Sequence, residues 1–158
     1  MSRILLAVGA VFLGLFLTRM TASASAQGQS SSQPQDKSTQ AFYRICSDCH
    51  DADRIVSNRR SRAAWEEVLD KMVGKGAVGS DQDFELVLYY LLSHYGMVNV
   101  NRSPAEEIAI VLGLPAKDGE AIVSYRKASG EIKDFETLVK VPGIDVEKLK
   151  QHREAILY

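Results

Sequence analysis

Residues 103–145 read SPAEEIAIVLGLPAKDGEAIVSYRKASGEIKDFETLVKVPGID, and their spacing sets the architecture of the C-terminal part of the chain. Ser103-Pro104-Ala105-Glu106 is a helix start: a cap, a proline at the first helical position and a glutamate at the third. Ile108, Val111 and Leu112 then lead to Gly113-Leu114-Pro115 and a helix with Ile122, Val123 and Tyr125. A similar half follows, from Phe135, Leu138 and Val139 through Pro142-Gly143-Ile144-Asp145 into a helix predicted to reach Tyr158. Gly130 separates the halves, and Gly113 and Gly143 lie 30 residues apart. That period predicts two copies of one helix–turn–helix unit.

Upstream, Met97-Val98-Asn99-Val100 is a short connection that fits a hinge or a buried joint. Before it, two amphipathic helices are legible. Ser61 caps the first, whose apolar positions Trp65, Val68, Leu69, Met72 and Val73 follow the i, i+3, i+4, i+7, i+8 stripe of one face; Gly74 and Gly76 end it. Ser80 caps the second, with Asp83 in a capping-box position. Phe84, Val87, Leu88, Leu91, Leu92 and Tyr95 form its predicted buried face, and Gly96 stops it. A core this small calls for a bound cofactor or a covalent staple.

The chemistry sits just ahead of these helices, in Cys46-Ser47-Asp48-Cys49-His50. C-x-x-C-H is the attachment signature of a covalently bound haem. Two thiols about one helical turn apart can add to vinyl groups on one edge of a porphyrin, and the following His50 can give the iron a nitrogen ligand. Other uses of the pair fit less well. A zinc site needs about four ligands, and His94 and His152 are a poor remainder. A redox dithiol calls for a βαβ context, and a structural disulfide leaves His50 without a role.

The N-terminus points to export. Arg3 precedes an apolar run of 14 residues, Ile4–Leu17, and Ala24-Ser25-Ala26 fits a cleavage site before Gln27. The run is short of the roughly 20 apolar residues of a membrane span, so residues 1–26 read as a cleaved signal peptide, with retention as an anchor the alternative. Residues 27–40 read as a flexible polar leader, with order beginning near Ala41-Phe42-Tyr43. Composition is that of an ordinary globular chain, 46% hydrophobic and 25% charged, and the formal net charge of −1 lacks the basic excess of a nucleic-acid binder.

Residues 41–96 resemble the small c-type cytochrome domains that accompany periplasmic quinone-cofactor dehydrogenases. The likeness lies in Cys46-x-x-Cys49-His50, Arg59-Arg60, Trp65-x-x-Val68-x-x-x-Met72, Gly76-Ala77 and the helix from Asp83-x-Glu85 to Tyr90-Leu91. It implies one haem c, held through Cys46 and Cys49 with His50 as an axial iron ligand. Such cytochromes place a methionine before their last helix, which assigns the second axial position to Met72, with Met97 and then His94 as fallbacks. Met72 also suits a plain core filler. Arg59, Arg60 and Arg62 fit either a docking patch or haem-propionate partners, and equally a solvated basic cluster.

Residues 99–158 resemble the tandem helix-hairpin-helix domain of the competence DNA-receptor family, through Asn99-Val100-Asn101, Ala105-Glu106-Glu107, Ala121-Ile122-Val123-x-Tyr125-Arg126, Phe135-Glu136-x-Leu138 and Val141-Pro142-Gly143-Ile144. In DNA-binding members each hairpin is typically Gly-hydrophobic-Gly, with backbone N–H groups holding a phosphate. Here Pro115 has no N–H to donate, and Asp145 puts a carboxylate near the phosphate position, where it suits the N-cap of its own helix. Nine Lys/Arg stand against ten Asp/Glu over 99–158. These departures argue against DNA as a partner.

The sequence therefore predicts an all-α chain: a small cytochrome c-like domain over 41–96, then a tandem helix-hairpin-helix domain over 99–158. Its predicted role is that of a periplasmic single-haem electron carrier rather than an enzyme. A dehydrogenase would be its donor and a cytochrome or oxidase its acceptor, with the hairpins for protein docking. The alternatives are an exported, competence-like DNA-binding protein with an attached haem domain, and a haem-based sensor.

Overall fold

A computed structural model describes residues 34–158 apart from 53 and 55–57; the signal-peptide segment 1–26 and the start of the leader lie outside the described residues. The fold is all-α. Three helices, α1 (Pro34–Cys46), α2 (Arg62–Gly74) and α3 (Asp81–Tyr95), precede a short strand β1 (Val98–Asn99). Four more follow: α4 (Ala105–Val111), α5 (Ala116–Ser129), α6 (Phe135–Leu138) and α7 (Val146–Gln151). A 3-10 turn (Arg153–Ala155) and strand β2 (Ile156–Leu157) end the chain. Among the described residues no helix is long and apolar enough to cross a membrane.

Helix α1 begins at Pro34, so the second half of the stretch read as flexible leader is helical. Its buried residues Ser38, Ala41, Phe42 and Ile45 repeat at i, i+3, i+4 and i+7. A serine in the first of those positions hid the stripe, because polarity masks a residue that packs by being small. Helix α2 starts where expected, with the Ser61 hydroxyl accepting from the Ala64 N–H at 3.4 Å. Its Trp65 is fully buried, and the indole N–H donates to the Tyr95 carbonyl at 3.0 Å. Helix α3 carries the predicted capping box between Ser80 and Asp83. Val87, Leu91 and Leu92 are buried as expected, together with Tyr90, whereas Phe84, Leu88 and Tyr95 are only partly covered.

Strand β1 settles the connection as a buried joint. Val98 and Val100 are in the core, Val98 and Asn99 pair in parallel with Ile156 and Leu157, and the Val100 N–H donates to the Leu157 carbonyl at 3.1 Å. That pairing corrects the expectation of a last helix reaching Tyr158: the helix ends at Gln151, because a continuing helix would carry Ile156 away from Val98.

Beyond β1 the two predicted units are present, α4–α5 and α6–α7, with Gly113 at φ +60° and Gly143 at φ +78° in their turns. Both lie in the left-handed region that only glycine enters freely. Helix α4 starts one residue later than the sequence suggested, with Pro104 at the cap and the Ser103 hydroxyl donating to Glu107 at 3.0 Å. One apolar core runs through the whole described chain, from Ala41 and Trp65 to Ile122, Leu138 and Leu149. Arg62 of α2 also reaches Glu107 of α4 at 2.8 Å, and that carboxylate is nearly buried. The burial that α1–α3 cannot supply alone comes in part from the hairpins.

Candidate functional site

Cys46 is the last residue of α1, where the chain leaves the helix through a turn over residues 47–50. That turn carries Cys49 and His50, which line the same cavity as Cys46. Helix α2 brings Leu69 and Met72, three residues apart on one face, to the same place, and Phe84 of α3 closes the far wall. Together Cys46, Cys49, His50 and Met72 line one cavity of about 150 Å³, otherwise walled mainly by apolar side chains. The structure thus gathers four of the sequence-nominated residues across 26 positions of chain.

Each donor has a distinct environment. The Cys46 thiol is half-buried, and that burial pushes its pKa up to about 11, so it stays protonated at neutral pH. Cys49 is exposed, and both cysteines are free. His50 Nδ1 lies 3.2 Å from the Asp51 carbonyl oxygen. A carbonyl can only accept, so this bond puts the proton on Nδ1 and leaves the Nε2 lone pair available to a metal. Lys75 adds a cation to the cavity wall. This donor set suits a thioether-linked haem. The enclosed space is below the roughly 300 Å³ of the smaller pockets for drug-sized ligands, so it would take part of a macrocycle rather than all of one.

The fallback ligands are elsewhere. His94 stacks on Tyr90 with ring centroids 4.3 Å apart, and its Nδ1 lies 3.0 Å from the Tyr90 carbonyl. It faces a different cavity, shared with His152 and Gly113. Met97 does not line the Cys46 cavity, and its N–H donates to the Arg60 carbonyl at 2.8 Å. The arginines are turned to internal work as well. Arg59 donates to the His94 carbonyl at 3.2 Å, Arg60 lies over the Trp65 ring at 5.5 Å, and Arg62 pairs with Glu107. The cluster joins the helices of the N-terminal half to one another and to α4.

At the hairpins, Asp145 caps α7 as expected, accepting from the Lys148 N–H at 3.1 Å. Sequence reasoning missed its partner. The Asp145 N–H donates to Asp118 Oδ2 at 2.9 Å, and Asp118 is only 2% exposed, with Oδ1 unbonded among the described residues. The second hairpin therefore spends a backbone donor on the helix of the first. A buried aspartate in the first turn of α5 is the signal that could have revealed this, since an acidic side chain there needs a donor.

Comparison with known proteins bears on the hairpin half. A family model described as a helix-hairpin-helix motif matches residues 93–156. A protein of Haemophilus influenzae, described as uncharacterized, is 39% identical over 62 residues, covering 39% of this chain and 55% of that one. The match thus spans about half the length of that relative. No solved structure matches. The helix-hairpin-helix resemblance stands, while the expectation that DNA is a poor partner gains nothing from the comparison.

Proposed function

We propose that this chain is an exported, single-haem c-type cytochrome that carries electrons between protein partners without catalysing a reaction of its own. The observation behind the reading is the shared cavity of Cys46, Cys49, His50 and Met72. A bound haem would supply a one-electron iron couple. Cys46 and Cys49 would hold it through two thioether bonds, each thiol adding its sulfur and hydrogen across one vinyl group with no net oxidation. His50 offers Nε2 while Asp51 fixes the ring, and Met72 offers a soft thioether from α2. A His/Met pair raises the reduction potential. The apolar walls of Leu69 and Phe84 would limit water around such a group.

The test is a reduced-minus-oxidised visible spectrum of protein made with a c-type maturation system. A haem band that survives acid–acetone extraction in wild type, and is lost in the Cys46→Ala/Cys49→Ala protein, is the expected result. Wild-type protein without covalent haem would overturn the reading. Met72→Ala should keep the haem but lose the weak far-red band of methionine–iron ligation.

A second reading has the helix-hairpin-helix match behind it: nucleic-acid binding by residues 93–156 of an exported protein that also carries haem. The comparison favours it over protein docking for that half, since the motif in DNA-binding members holds phosphates. Three features weigh the other way: Pro115 lacks an N–H, the Asp145 N–H is held by Asp118, and residues 99–158 lack a basic excess. Retention on duplex DNA that weakens with salt supports this role; no gel shift at low salt removes it.

A further inference from the structure

We infer that the face of α2 and α3 next to the Cys46 cavity docks a cationic protein, one that surrounds an apolar centre with lysine or arginine. The inference rests on the electron-carrier reading, since it names the kind of partner that would meet the haem. A groove of about 580 Å³ runs between these helices and shares Leu69, Ala77 and Phe84 with the cavity wall, so a partner seated there lies against the haem site. Its lining includes Val73 and Val78, two of the most exposed large apolar side chains among the described residues, with Val78 85% exposed. Exposed apolar side chains gathered in a groove with a polar rim are the anatomy of an interface.

The rim fixes the sign of the partner. Glu66, Asp70, Asp81 and Glu85 line the groove, and no lysine or arginine does. Among the described residues Asp70, Asp81 and Glu85 have no ion pair, while Glu66 has a loose one with Arg62 at 3.6 Å. Lys71 does not line the groove and lies 3.9 Å from Glu67, and Lys75 lines the cavity rather than the groove. Residues 61–96 carry three Lys/Arg against six Asp/Glu, a net of −3 where the whole chain is −1. Such a local field steers a basic partner to this face and repels an acidic one.

The test uses the full haem-loaded protein with lysine-rich mitochondrial cytochrome c as the cationic acceptor and ferricyanide as the anionic one, mixed in a stopped-flow instrument. Between about 10 mM and about 0.2 M salt the cytochrome reaction should slow and the ferricyanide reaction should not. Asp70→Lys/Glu85→Lys should slow the cytochrome reaction by about tenfold or more at low salt, with its haem spectrum unchanged. A double variant that reacts and responds to salt like wild type would overturn the groove. Calorimetric binding of the same cytochrome at low salt needs no haem in this chain. A preparation lacking covalent haem that still binds, and loses binding in the double variant, would keep the groove and remove the haem reading instead.

Discussion

The two halves of this chain solve the same problem, too little core for their length, by different means. The hairpin half repeats itself: two helix pairs meet across glycine turns, and Leu112, Ile122, Leu138 and Leu149 fill the space between them. Its two pairs are tied to each other by the bond from the Asp145 N–H to the buried Asp118. The N-terminal half does not repeat. It leaves an apolar cavity lined by two thiols, an imidazole and a thioether, with a carboxylate-rimmed groove beside it. One half is closed on itself and the other is open to a ligand. What joins them is a shared core, with Arg62 of α2 paired to Glu107 of α4.

That shared core gives the largest expected effect. Trp65→Ala, in the open half, removes a fully buried indole and should cost about 3–5 kcal/mol. Leu149→Ala, in the closed half, should cost about 2–5 kcal/mol. In denaturant titrations followed by far-ultraviolet circular dichroism, each variant should still unfold in one transition, shifted to lower denaturant. If Leu149→Ala split the transition and left the α1–α3 signal at its wild-type midpoint, the halves would be independent and the comparison would break.

How far the sequence reveals each half follows from the kind of signal each carries. The hairpins are legible because a turn at φ +60° or +78° demands glycine, and Gly113 and Gly143 stand 30 residues apart. The Cys46–His50 motif stands out by its spacing and Met72 through the cytochrome resemblance, and the fold brings Cys46, Cys49, His50 and Met72 to one cavity wall. The start of α1 was hidden by Ser38, a polar residue buried for its size. The end of α7 was hidden because Ile156 and Leu157 suit a helix by their apolarity, and only the distant partner Val98 makes them a strand. The groove is invisible in a linear reading, since Glu66 and Asp70 of α2 meet Asp81 and Glu85 of α3 only after folding.

The turn glycines sharpen the contrast within the closed half. At Gly143 an added Cβ meets open space, so Gly143→Ala should cost only the left-handed backbone penalty, about 1–2 kcal/mol. At Gly113 the same methyl comes 3.2 Å from His152 Cε1, so the ring must also shift. Gly113→Ala should therefore lower the melting temperature more than Gly143→Ala does. Pairing Gly113→Ala with His152→Ala should recover the difference. Equal effects at the two glycines would mean that His152 yields freely.

The smallest effect is a pH dependence of stability in haem-free protein, to which both halves contribute. Burial raises the Cys46 thiol from 9.0 to about 11 and also raises the Tyr90 hydroxyl, both in the open half. The closed half has a raised Tyr158, again chiefly by burial. For a group whose folded pKa is the higher, the unfolded chain loses its proton first. The stability is complete below the unfolded value and falls as pH rises toward the folded one. Melting temperatures should thus drop between pH 9 and about 11, and Cys46→Ala should flatten the first part of that drop while leaving the tyrosine part. On the acid side the halves should behave alike. Asp83 is held low mainly by hydrogen bonds from Ser80, and Asp134 by those from Thr137, so each loses its cap as pH falls below the ordinary carboxylate range. A Cys46→Ala profile that overlays wild type from pH 9 to 11 would mean the thiol is as hydrated folded as unfolded, and the cavity is wetter than its walls imply.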